Sequence, residues 1–77
     1  MKIKVKDLDH LNELLLRKGF TKTSFSKAIK LSQPMTIQIT NGDRHPSPPV
    51  AKRITDTLAV EFDDIFVIVK ATGVTAG

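Results

Sequence analysis

Apolar residues recur along the chain at two different periods, and the changes of period divide it into elements. Lys2-Ile3-Lys4-Val5 alternates polar and apolar, the period of a short strand. Leu8, Leu11, Leu14 and Leu15, with Leu16 less regularly, then fall at spacings of three and four, an apolar stripe down one side of a helix. Asp7 or Asp9 supplies its cap. Arg17 and Lys18 suit its carbonyl end, and Gly19 stops it. The spacing predicts a first helix from about Leu8 to Lys18.

A second helix is capped by Thr21 or Thr23, with Phe25 and Ile29 on one face. Lys30 falls in the turn that follows, and Leu31 anchors the turn to the core. Ser32 is an N-cap, and Pro34 lies in the first turn, where a missing amide proton does no harm. A third helix is expected from about Gln33 to Thr40, stopped by Asn41-Gly42, since both residues tolerate left-handed geometry. Asp43 to Pro49 is a loop. Ser47 caps a fourth helix carrying Val50, Ala51, Ile54 and Leu58, with Pro48 and Pro49 in its first turn. Glu61 to Phe66 forms a short fifth helix whose early acids suit the positive helix start. Phe66 to Val69 is apolar and β-branched, hence a strand. It pairs either with Ile3 to Val5 or with a second subunit. Ala71 to Gly77 is expected to be a frayed tail, which leaves one domain over residues 1–70.

Composition narrows the function. The chain has 77 residues, no cysteine and a net charge of +4. A domain of this size has a thin core and little room for a deep pocket. Without cysteine, disulfides and thiolate metal sites are excluded. No apolar run reaches the ~20 residues of a membrane span, and no signal-peptide pattern opens the chain. A soluble, cytoplasmic protein is expected. The charge is unevenly placed. Between Arg17 and Arg44 stand six basic residues, Arg17, Lys18, Lys22, Lys27, Lys30 and Arg44, against the single acid Asp43. A localised basic patch attracts phosphate by counterion release, though a solvated surface carries the same charge.

Residue order sharpens this. The run FTKTSFSKAIKLSQPMTIQITNGDRHPSPPVAKRITDTLAVEFDDIF resembles the Cro/repressor-type (Xre, lambda-repressor-like) helix-turn-helix family. The match is best at Asn41-Gly42, Arg44, Pro46-Ser47, Ala51…Ile54…Leu58 and Val60…Phe62…Asp64-Ile65-Phe66. The resemblance implies an all-α fold of five helices, to which the termini can add a small two-stranded β-ribbon. It puts Phe25, Ile29, Leu31 and Ile39 on buried positions and Ser26 where the second and third helices cross closely. Two positions depart from the family pattern. Lys30 stands where glycine is usual, and a non-glycine residue in left-handed geometry costs about 1–2 kcal/mol. Thr36 stands at the central buried position of the third helix. Either it buries its methyl and bonds a backbone carbonyl, or the helix is rotated, which leaves open which of Met35, Thr36 and Ile37 faces outward.

The resemblance implies a sequence-specific regulator of transcription, a Cro-like protein or short repressor of a phage or mobile element. It would bind double-stranded DNA as a homodimer at a palindromic operator, with the third helix in the major groove. Base contacts fall to Gln33, Pro34, Ile37 and Gln38, because glutamine can pair with adenine and an aliphatic side chain can touch a thymine methyl. Ile37 has a second reading as a core residue. Lys22, Ser32, Thr40, Asn41 and Arg44 are the expected backbone contacts, with Lys27 and Lys30 adding charge. His10 and His45 have no partner at metal-ligand spacing, and Asp63-Asp64 suits helix capping better than acid–base chemistry. No cofactor, metal or catalytic constellation is expected, and therefore no enzyme. The alternative is a protein-binding modulator or antirepressor that engages a larger repressor through apolar Met35, Ile37 and Ile39.

Overall fold

The computed structural model describes residues 1–70; the expected tail at 71–77 lies outside the described residues. The elements run β1 (Lys2–Val5), α1 (Leu8–Arg17), α2 (Lys22–Ala28), α3 (Gln33–Asn41), α4 (Pro48–Leu58), α5 (Phe62–Ile65) and β2 (Phe66–Val69). The five helices and the ribbon match the order and type expected from the sequence. Of the two open readings of the terminal strands, the structure has the intrachain one. β1 pairs antiparallel with β2, with Lys2 opposite Val69 and Val5 opposite Phe66.

The caps follow from local chemistry. Asp7, not Asp9, caps α1: its Oδ1 accepts from the His10 amide at 3.2 Å. Lys18 is the C-cap rather than the last helical residue. Thr21, not Thr23, caps α2, accepting from the Ser24 amide at 3.0 Å while its own amide donates to Ser24 Oγ at 2.9 Å. Ser47 stands at the N-cap of α4 but makes no side-chain cap bond. Pro48 and Pro49 occupy the next two positions without an N–H, which leaves only the Val50 amide for such a bond, and it makes none with Ser47. α5 ends at Ile65, one residue short of expectation, because Phe66 is already extended and opens β2. The Glu61 amide donates to Asp64 Oδ2 at 3.1 Å, a helix-start role for that carboxylate.

One apolar cluster joins all of these except the turns. Leu11 and Leu15 of α1, Phe25 of α2, Ile39 of α3, Ala51, Ile54 and Leu58 of α4, and Ile65, Phe66 and Val5 are buried in it, together with Ile29. Leu8 and Leu14 are half-buried against it. Leu16 is the exception in the leucine stripe, 78% exposed, because it lies a residue past the buried Leu15 and turns away from the core. Phe20 and Phe25 stack tilted at 5.5 Å between ring centres, which ties the end of α1 to α2.

The ribbon has two unlike edges. Lys6 donates through its amide to the Ile65 carbonyl at 2.7 Å. Alternation from that bond turns the N–H and C=O of Ile3 and Ile68 away from the partner strand. On the β1 side, His45 Nδ1 donates to the Ile3 carbonyl at 3.2 Å. On the β2 side no further strand pairs among the described residues, and Val67, Ile68 and Val69 are exposed.

Candidate nucleic-acid interface

The turn between α2 and α3 decides how α3 is presented. Ser26 is buried at the crossing, with its hydroxyl donating to the Thr23 carbonyl at 2.7 Å. The Leu31 amide donates to the Ser26 carbonyl at 2.9 Å, closing the turn. Lys30 takes left-handed geometry at φ 56°, the strained conformation its sequence position implied. Ser32 then caps α3, accepting from the Met35 amide at 3.3 Å.

Within α3 the open question about Thr36 has a clear answer. Thr36 is 1% exposed, and its hydroxyl donates to the Ser32 carbonyl at 2.9 Å. Burial of a hydroxyl is costly unless it is bonded, and the helix itself supplies the acceptor. Thr36, Ile39 and Thr40 therefore form the inner face. Ile37 is 37% exposed and lies on the outer face rather than in the core. Gln33, Pro34, Gln38 and Asn41 are exposed with it. At helical spacing, positions 33, 34, 37, 38 and 41 make one continuous outward strip.

Thr40 requires a correction. Its side chain is 2% exposed and donates to the Thr36 and Ile37 carbonyls at 3.0 and 3.1 Å. It faces the core, so it has no atom to offer a phosphate. The end of the helix also shifts. Asn41 remains helical, and only Gly42 is left-handed, at φ 85°. The left-handed backbone demands glycine there; a Cβ would also meet Leu8 Cδ1 at 2.8 Å, which the end of that side chain would have to yield. The Gly42 and Asp43 amides bond back to the Ile39 and Gln38 carbonyls, closing the helix end.

Lys22 opens α2 and is half-buried, with its ammonium donating to Asn12 Oδ1 at 2.6 Å. Burial lowers its pKa from the ordinary lysine value. Asn12 was assigned no role from the sequence. Its amide donates to the Leu8 carbonyl at 2.8 Å and the Thr40 carbonyl at 3.1 Å, so one side chain joins α1, α2 and α3. The signal for it was a polar residue one turn after Leu8, on the border of the leucine stripe. Arg44, beyond the end of α3, donates through Nε to Gln38 Oε1 at 2.8 Å.

The charge around α3 is mainly positive: Asp43 is the one acid between Arg17 and Arg44, and it forms no ion pair among the described residues. Among the described residues the ion pairs are Arg17–Glu13 at 2.7 Å and Lys52–Asp56 at 3.2 Å, both elsewhere on the surface. The Arg17 hydrogen bond and charge hold the Glu13 carboxyl below its usual range. Lys22, Lys27, Lys30 and Arg44 enter no such pair. The outward strip of α3 is thus apolar and amide-bearing, with cations at both ends. No helix among the described residues is long and apolar enough to cross a membrane. A family model described as helix-turn-helix matches residues 11–65, from α1 to the end of α5. No curated protein matches the chain.

Proposed function

The chain belongs to the helix-turn-helix family of Xre, lambda-repressor-like type, and from that premise we propose that it is a cytoplasmic, sequence-specific double-stranded DNA-binding regulator of transcription. α3 enters the major groove. Gln33, Pro34, Ile37 and Gln38 meet base edges, and Lys22, Ser32, Asn41 and Arg44 meet the sugar–phosphate backbone. The observation that carries the reading is the outer strip of α3, where an exposed isoleucine lies between two exposed glutamines. Ile37 keeps 37% of its surface exposed there, and a thymine methyl is an apolar group that this surface could cover.

Lys22 suits its role because Asn12 Oδ1 accepts one of its ammonium hydrogen bonds and holds the group at the start of α2. The remaining protons are free for phosphate oxygens. Two copies on a palindromic operator would meet through the outer edge of β2, where the N–H and C=O of Ile68 have no partner among the described residues. Such a protein suits a phage or mobile element as a Cro-like protein or short repressor. The reading as a protein-binding modulator of a larger repressor is the weaker one. It counted on Ile39, which is buried.

The test is site selection from a random duplex library at about 150 mM salt, where non-specific phosphate binding is already weak. An enriched palindrome with half-sites about one helical turn apart is the expected result. A library that emerges without enrichment, alongside a tight protein partner, would move the assignment to the modulator.

A further inference from the structure

The two glutamines of the outer strip are held differently. Gln33 makes no side-chain hydrogen bond among the described residues, so its amide is free to rotate. Gln38 is tied through Oε1 to Arg44 Nε at 2.8 Å. The chemistry of that bond allows one orientation only. An arginine Nε–H can only donate, and of the two amide heavy atoms only the oxygen can accept. Turning the Gln38 amide over would set two donors against each other.

We propose that Arg44 is a specificity-determining positioning residue: by holding Gln38 Oε1, it fixes the order of donor and acceptor that this amide presents to a base pair. The inference rests on the reading of α3 as the groove-entering helix. Major-groove edges are distinguished by the order of their donors and acceptors. A freely turning amide offers both orders, and so accommodates more than one base. A held amide offers one. The bond is exposed in the free protein, where water competes with it. In the groove, water is displaced and a charge-assisted bond strengthens. The terminal nitrogens of Arg44 remain available to a phosphate, so both contacts can form together.

The experiment compares base preference, position by position and normalised to total affinity, for the full chain, Gln38→Ala, Arg44→Ala and the double variant. Gln38→Ala identifies the base pair that Gln38 reads, where the full chain is expected to discriminate by about five-fold to a hundred-fold. Arg44→Ala should flatten preference at that same base pair to within about two-fold, with the glutamine still present. The double variant should flatten it no further than either single change. Lys27→Ala, a charge control, should leave the profile unaltered while lowering affinity. Arg44→Ala that weakens all sequences equally, or flattens a different base pair, overturns the proposal while leaving the groove-reading assignment standing. No enriched site for the full chain removes both.

Discussion

α3 has two faces that invert the usual distribution of side chains. Its inner face carries two threonines, Thr36 and Thr40, beside Ile39, and its outer face carries Ile37 between glutamines. The inner hydroxyls are tolerated because backbone carbonyls within the helix accept their protons. Nothing comparable explains the outer isoleucine. Residues of the inner face answer to packing, and residues of the outer face answer to whatever the helix is laid against. Where a face satisfies every folding requirement internally, what is left unexplained on the other face is the better guide to function.

The contrast can be broken most forcefully at the two isoleucines. Ile39→Ala should cost about 2–5 kcal/mol in urea or thermal unfolding, since it opens a cavity in the core. The same truncation at Ile37 should change stability by less than about 0.5 kcal/mol. Equal losses would erase the distinction between the faces. Next, Gln38→Ala should cost about 1–3 kcal/mol of discrimination at one base pair, read by binding to single-substituted operators, with the melting temperature preserved. Lys22→Ala should weaken all duplexes alike and lower the slope of log affinity against log salt by about one. An unchanged slope would take Lys22 off the phosphate backbone. The smallest effect belongs to Thr36→Val. The Ser32 carbonyl keeps the Thr36 amide as donor at 3.0 Å, so no acceptor is orphaned and stability should stay within about 1 kcal/mol. A loss of several kcal/mol would mean that the hydroxyl matters beyond its own bond.

Element order and type were legible in the sequence because leucine and isoleucine spacing, proline and glycine carry them locally. Gly42 stopping α3 and Phe25 sharing a face with Ile29 follow from turn chemistry and helical period; the burial of Ile39 was implied by the family resemblance, and the outward face of Ile37 was open until Thr36 took the inner position. What stayed hidden depends on the crossing of helices. Thr40 was read as a flanking contact because its polarity pointed outward, whereas its position one turn after Thr36 pointed inward. Its buried place is satisfied by carbonyls that no sequence displays. Asn12 escaped for the complementary reason: its three partners lie on three helices and are separated by up to 28 residues. The Gln38–Arg44 bond spans a helix end and a turn, so it depends on the left-handed Gly42 that lies between them.

The ribbon has a consequence for how the chain assembles. Pairing Lys2 with Val69 joins nearly the whole described length into one loop, and the entropy of closing a loop rises with its length. The contacts of α2 with α3 span only a few residues and can form without that closure. Local helical contacts are therefore expected to come first in refolding kinetics, with β1 meeting β2 once the packed helices have carried the ends together. On opening the order should reverse, with the ribbon exchanging its amides before the helices in hydrogen-exchange measurements. Among the described residues, the edge of β2 at Ile68 is completed only once β1 has docked, so the dimer contact proposed there would be open only to chains that have finished folding.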